Sequence, residues 1–264
     1  VAVYGDKLFC VYVDEFDVWG QVKFMFKTES GGWSAPVDLG PRIYASQAPA
    51  IFTLAGTLYV FVVVRGADGS SECWRFAYDD ATGQFIMGPL PSLKKVTGSP
   101  SFVEMNGMLY MFYIRPNKII AWRKTTDLTT WSDEQWVYEK GSDPVPSLSA
   151  PTVIWYQGLI HVFATDTQGN HLLLKFDGGS NWTRPRLFIP EKYSNAPSAV
   201  VHNGLLNIVF NGLVSDPDNR DLFQYCYDGS CTSPATVSSN LRATQSIGLG
   251  VLADRLYAVY RGSP

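Results

Sequence analysis

The sequence predicts an all-β protein, a β-propeller of four-stranded antiparallel blades. Three observations carry that prediction. A strand–turn–strand unit recurs along the chain at a nearly constant interval. Every copy but the last runs on into a third strand, a polar turn and a fourth strand that usually opens on Trp. The composition is that of a turn-rich β protein, with 23 Gly, 16 Pro and 14% aromatic residues against only 17% charged ones.

The clearest copy of the unit runs from Ser99 to Arg115 and reads as one strand, a tight turn at Asn106-Gly107 and a second strand. Asn-Gly between alternating apolar runs is a strong hairpin signal, because both residues tolerate positive φ. Gln47-Ala48-Pro49 leads in the same way to Gly56-Thr57-Leu58-Tyr59, Ser149-Ala150-Pro151 to Gly158-Leu159-Ile160, and Asn195-Ala196-Pro197 to Gly204-Leu205-Leu206. Ile247 to Leu256-Tyr257 is a worn sixth copy, and Gly5-Asp6-Lys7-Leu8-Phe9 matches the turn near the N-terminus. The apolar residues after the turns are Leu8, Leu58, Leu109, Ile160, Leu206 and Leu256, at spacings of 50, 51, 51, 46 and 50 residues. A period of that size filled by short strands marks a propeller.

The outer halves of the units follow in order. The first has Val22 to Phe26 and then Ser30-Gly31-Gly32-Trp33, and the second has Cys73 to Tyr78 and then Asp79-Asp80-Ala81-Thr82-Gly83. The third has Ile119 to Arg123 and then Thr125 to Trp131, and the fourth has Leu172 to Phe176 and then Asp177 to Trp182. The fifth has Leu222 to Tyr227 and then Asp228-Gly229-Ser230-Cys231, with Cys at the Trp position. One domain over 1–264 is expected, with repeats at about 1–46, 47–97, 98–148, 149–194, 195–244 and 245–264. That makes six radial repeats with the last, Gln245 to Arg261, incomplete. Five blades is the alternative.

A net charge of −3 gives no electrostatic reason to expect nucleic acid or an anionic membrane as partner. No apolar run approaches the length of a membrane span. The chain opens at Val1 inside a strand, so residues upstream are expected to have been processed or trimmed. Asn181-Trp182-Thr183 is a glycosylation sequon that matters in a eukaryotic secretory route, and a secreted or extracellular location is the expectation. If Asp228-Gly229 is a two-residue turn, Cys226 faces Cys231, and opposed residues of a non-hydrogen-bonded pair lie about 4.5 Å apart at Cα, within disulfide reach. A Cys226–Cys231 bridge and two packed thiols both stand as readings. Cys10 and Cys73 read as strand-core residues.

The turns between third and fourth strands resemble the Asp-box of sialidases, a Ser-x-Asp-x-Gly-x-Thr-Trp signature on that same hairpin. Asp177 to Trp182 keeps the Asp, Gly and Trp at the right spacing, with Lys175 in place of Ser and Asn181 in place of Thr; Asp127 to Trp131 is one residue shorter. The resemblance implies a propeller and a structural box, in which Asp accepts turn N–H groups and Trp packs between blades. It does not bring the catalytic set: Pro41-Arg42-Ile43 has the wrong order for the family's Arg-Ile-Pro motif. The Thr126 to Trp131 turn also looks like five-bladed arabinanase-type glycosidases, which need three carboxylates on innermost strands. The innermost strands of the second to fifth repeats carry no Asp, and Glu104 is their one Glu.

His161, His171 and His202 lack metal-ligand spacing and read as core or surface residues, and Asp216, Asp218 and Asp221 read as a hydrated loop; no cofactor or metal is expected. Aromatics that break the repeat phase are more informative. Phe16 and Trp19 lie in the long loop after Asp14, and Tyr44 and Tyr193 lie in links between blades. Sugars present C–H faces that stack on such rings and hydroxyls that bond polar neighbours. Second strands end at Arg65, Arg115 and Arg261, where other repeats have Asp14, Thr165 and Asn211. Arginine presents a planar fork that matches carboxylates, and sialidase-like sites use clustered arginines for an acidic sugar. The expected site is therefore Arg65, Arg115 and Arg261 with Trp19, Tyr193, Tyr44 and Asp14. The expected function is a non-catalytic lectin or glycan-binding module, with glycans or glycoconjugates as partners. A glycoside hydrolase and a protein-interaction scaffold are the alternatives.

Overall fold

Ala55-Gly56, Asn106-Gly107, Gln157-Gly158 and Asn203-Gly204 fold alike in the computed structural model. Both residues of each pair have positive φ, from 47° at Ala55 to 78° at Gly158. That is the backbone of a type I′ turn, whose twist suits the strands it joins. The structure describes residues 1–14, 20–40, 43–45, 47–65, 71–88, 96, 98–138, 144–179, 181–183, 186–189, 197–211, 221–228, 235–242 and 247–260.

Five repeats each give a four-stranded antiparallel sheet in sequence order. Blade 1 holds β1 (Ala2–Tyr4), β2 (Lys7–Asp14), β3 (Gln21–Thr28) and β4 (Val37–Asp38). Blade 2 holds β5 (Ala50–Leu54), β6 (Thr57–Arg65), β7 (Ser71–Asp79) and β8 (Gln84–Gly88). Blade 3 holds β9 (Ser101–Met105), β10 (Met108–Ile114), β11 (Ile120–Thr125) and β12 (Gln135–Trp136). Blade 4 holds β13 (Thr152–Tyr156), β14 (Leu159–Thr165), β15 (His171–Phe176) and β16 (Arg186–Ile189). Blade 5 holds β17 (Ser198–His202), β18 (Leu205–Asn211), β19 (Asp221–Tyr227) and β20 (Ala235–Arg242). The last repeat gives a two-stranded sheet of β21 (Gly248–Leu252) and β22 (Arg255–Val259). The fold class is thus the expected all-β propeller with five four-stranded blades, the count given above as the alternative, and a two-stranded sheet from the sixth repeat.

One register runs through all six copies. Val3 pairs with Leu8, Thr53 with Leu58, Glu104 with Leu109, Trp155 with Ile160, Val201 with Leu206, and Val251 with Leu256. Leu8, Leu58, Leu109, Ile160 and Leu206 are fully buried, which explains why the position stays apolar through the repeats. Sealing a side chain of that size from water stabilises by about 1.5–3 kcal/mol.

The chain forms two compact units, residues 1–117 with 121–135 and residues 118–120 with 136–264. In the first, β1 lies beside β5 and β5 beside β9, so first strands adjoin first strands. Phe9, Val11, Val22 and Phe24 of blade 1 pack on Leu58, Val60, Val62, Val64 and Phe76 of blade 2. In the second unit, β13 lies beside β17 and β17 beside β21. Tyr156, Phe163 and Leu173 of blade 4 pack on Leu206, Ile208, Phe210, Tyr225 and Tyr227 of blade 5. Val209 and Leu222 then meet Ile247 and Leu249 of the last repeat. Cys10 and Cys73 are buried strand residues, as the sequence implies.

The outer turns use their Asp side chains as internal acceptors. Asp127 Oδ1 accepts the N–H groups of Thr129 and Thr130, each at 2.8 Å, and these bonds hold its carboxyl well below the usual carboxylate range. Asp177 Oδ1 accepts the Gly179 N–H at 2.8 Å, and Trp182 stacks on Phe176 with centroids 4.3 Å apart. No helix among the described residues is long and apolar enough to cross a membrane.

Candidate functional site

Strand alternation in β10 places Leu109, Met111 and Tyr113 on one face of blade 3, all buried. Leu109 and Met111 are fully apolar, but Tyr113 carries a hydroxyl into the interior, and a buried hydroxyl needs partners. It has two. It donates to Glu134 Oε2 at 2.5 Å and accepts from Arg123 Nε at 3.2 Å. Arg123 comes from β11 and also donates through Nη1 to the Ser132 carbonyl at 3.2 Å. Arg115, one residue past β10, sets its Nε 3.1 Å from Glu134 Oε1. Both side chains of that ion pair are largely covered, at 18% and 16% exposure. Burial, and then the bond to Glu134, push the Tyr113 phenol well above its ordinary pKa, so it stays protonated.

This cluster of Tyr113, Arg115, Arg123 and Glu134 combines guanidinium donors with a carboxylate acceptor on one blade. Such a set has both hydrogen-bond roles that a polyhydroxyl compound would engage. No group of His, Cys, Asp and Glu among the described residues is arranged to hold a metal ion.

Of the residues expected at the site, Arg115 is the one in this cluster. Asp14 ends β2 and is held by Lys23, whose Nζ lies 2.8 Å away. Tyr44 bridges to Gln21 and is 36% exposed. Arg65 ends β6 opposite Ser71. It is the seventh residue after Leu58, whereas Arg115 is the sixth after Leu109, so the two do not occupy equivalent positions of the shared register. Trp19, Tyr193, Arg261 and Cys231 lie outside the described residues. Cys226 therefore has no described counterpart for the expected disulfide; its sulfur lies 3.5 Å from Asn207 Oδ1.

Sequence reasoning missed Glu134, Tyr113 and Arg123. Tyr113 and Arg123 look like ordinary strand residues. Glu134 did leave a signal: three residues after the Trp of the outer turn the first and fourth repeats have Pro36 and Pro185, and the third has an acid.

No protein-family profile matches the sequence, and no curated protein matches it either. Solved structures do resemble the fold. A mutant of the Aleuria aurantia lectin in complex with α-methyl-L-fucoside superposes with a TM-score of 0.70 at 12% identity, over 99% of this chain and 86% of that one. The Trypanosoma rangeli sialidase with a covalently bound difluorosialic acid gives 0.66 at 11% identity, over 99% of this chain but 51% of that one. An α-L-arabinofuranosidase from Clostridium thermocellum gives 0.57 at 17% identity, over 89% and 93%. At these identities the likeness establishes a shared fold.

Proposed function

We propose that this chain is a carbohydrate-binding propeller that acts without catalysis, with glycans or glycoconjugates as its partners. The observation that carries the reading is the Arg115–Glu134 ion pair with Tyr113 and Arg123 behind it. Guanidinium N–H groups donate and the carboxylate accepts, which suits the paired donor and acceptor character of sugar hydroxyls. The structures of similar fold include a lectin bound to a fucoside and glycosidases bound to or named for sugars, which supports carbohydrate as the ligand class.

The hydrolase alternative has one feature in its favour, a Tyr113–Glu134 hydrogen bond reminiscent of a nucleophile and its base. Tyr113 is 1% exposed with its phenol held protonated, so it does not meet a substrate. First strands β5, β9, β13 and β17 carry Glu104 as their single acid, and Glu104 is exposed beside the turn. Neither arrangement supplies two opposed carboxylates.

A glycan array followed by titration calorimetry tests the reading. Binding to a defined glycan class is expected, with Arg115→Ala weakening it roughly tenfold or more, since a charge-assisted bond is worth about 1.5–3 kcal/mol. A fluorogenic glycoside panel is expected to stay dark. Turnover abolished by Glu134→Gln would overturn the non-catalytic part, and an empty array would overturn the carbohydrate part.

A further inference from the structure

Resting on that reading and sharpening it, we infer that the seam between blades 2 and 3 takes an oxyanion-bearing ligand, a carboxylated or sulfated sugar, and that Arg75 of blade 2 completes the site. The placement follows from register. Phe61 stands directly opposite Arg75 in the β6–β7 ladder, so the two share a face of blade 2. Phe61 packs on Phe102 of blade 3 with centroids 5.1 Å apart, so that face is the one turned to blade 3. Phe102 in turn pairs with Met111, and Tyr113 lies two residues further along the same strand face. Arg75 and the Tyr113–Glu134 cluster therefore occupy one seam from opposite sides.

The seam is unbalanced in charge. Arg75, Arg115 and Arg123 contribute three guanidinium groups, and Glu134 answers one of them. The other described acids on these two faces are engaged elsewhere or lie in water. Asp79 accepts from Ala81 and Thr82, Asp127 from Thr129 and Thr130, and Glu104 is exposed at its turn. Arg75 Nε is buried without a hydrogen-bond partner. Its guanidinium lies 5.7 Å from the centroid of Tyr59. A ring face attracts the charge but leaves the in-plane N–H donors unmet.

A glycine keeps this arrangement open. A Cβ on Gly88, the residue opposite Arg75 on β8, would sit 3.0 Å from Arg75 Nη2. A partly buried cation with an unmet donor, as Arg75 is, favours an acceptor that also carries negative charge, and a planar or tetrahedral oxyanion matches the guanidinium fork. A neutral hydroxyl would satisfy the donors and leave the charge.

Galactose, galacturonate and galactose 6-sulfate, one sugar frame with and without charge, decide the matter by titration calorimetry on the intact chain. The inference expects the two charged sugars to bind about tenfold or more tighter than galactose, and to weaken as salt is raised. Whichever charged sugar binds more tightly distinguishes carboxylate from sulfate. Arg75→Gln is expected to remove that advantage, so that the two charged sugars bind no tighter than galactose does. Should that variant fail to fold, the salt dependence of the unaltered chain carries the test. Galactose binding as tightly as its charged partners, or charged-sugar binding indifferent to salt and to Arg75→Gln, overturns the inference. Inorganic sulfate separates it from the carbohydrate reading. Sulfate bound with no sugar bound keeps the oxyanion site and removes the lectin, and galactose bound with no response to sulfate does the reverse.

Discussion

His161 stands directly across the β14–β15 ladder from Lys175, so a buried imidazole and an ammonium share one face of blade 4. The imidazole is 1% exposed, with the rings of Tyr156 and Tyr227 at 5.6 and 6.1 Å, and its Nδ1 lies 3.3 Å from the Leu159 carbonyl. A carbonyl can only accept, so Nδ1 carries the proton and Nε2 is a bare acceptor, buried without a partner. Lys175 donates to the Tyr227 hydroxyl at 2.9 Å. Burial first, and the Lys175 charge as a further contribution, push the His161 pKa down to about 4. At the other end of the ladder His171, whose Nδ1 lies 3.2 Å from Thr165 Oγ1, is pushed down to about 4 by burial, with Asp166 opposing.

Acid should therefore loosen this seam. Both histidines fold with a pKa below the ordinary 6.5, so between about pH 6.5 and 4 the unfolded chain binds more protons. Their contribution is fully present above pH 6.5, falls as pH drops toward 4 and is gone below it. Each shift corresponds to on the order of 3 kcal/mol. Urea midpoints measured from pH 8 to pH 4 should hold level and then fall through that window. His161→Gln should make the fall shallower, and an unchanged pH profile in that variant counts against the assignment.

Ala55 offers a stabilising change. It sits at φ 47° at the first position of a type I′ turn, where the third and fifth repeats place Asn106 and Asn203. An L-residue with a Cβ pays about 1–2 kcal/mol in that region, and Asn tolerates it through local hydrogen bonding. Ala55→Asn should raise stability by about 0.5–1 kcal/mol, a thermal shift of roughly 1–4 °C in a chain of this size. A lower melting temperature would show that the turn depends on something other than its φ.

These cases mark how far the sequence reads. The turn pairs, the buried Leu8, Leu58, Leu109, Ile160 and Leu206, and the four-strand pattern were legible because repetition isolates whatever recurs for structural reasons. The site was legible only at Arg115. Glu134 lies outside the recurring hairpin, and Arg123 and Arg75 sit inside strands whose alternation can be read in either phase. Blade packing, not sequence, sets the faces that carry them against each other: Phe61, opposite Arg75, lies on Phe102, opposite Met111, about forty residues away in the chain. Counting strand ends as equivalent positions also overstated the regularity, since Arg65 and Arg115 stand at different distances from their turns.

Gly88 separates packing from recognition at the proposed oxyanion site. A methyl there meets the far end of a flexible side chain rather than backbone. Gly88→Ala should move the Arg75 guanidinium and change stability by no more than about 0.5 kcal/mol, as expected where a flexible side chain absorbs the strain. Charged-sugar binding should nevertheless weaken. Full retention of that binding would mean that Arg75 can satisfy the ligand from a second rotamer.

The strongest coupling is expected between Tyr113 and Glu134. Tyr113→Phe keeps the ring in its buried place but takes away the donor to Glu134 and the acceptor for Arg123. It should cost about 1–3 kcal/mol, the range for a buried hydrogen bond to a charged partner. Glu134→Gln keeps the shape and removes the charge that faces Arg115, leaving the guanidinium groups of Arg115 and Arg123 around Tyr113 without an acid. That change should cost about 2–3 kcal/mol, less than for a fully buried pair because water still reaches both side chains. Tyr113→Phe removes the bond and Glu134→Gln weakens it by taking away the acceptor's charge, so the double variant should cost less than the sum by about 0.5–2 kcal/mol. Urea unfolding of the four proteins supplies the cycle. Strict additivity would mean that the hydroxyl and the carboxylate act separately, and that Arg115 is held in place by something other than the Tyr113–Glu134 bond.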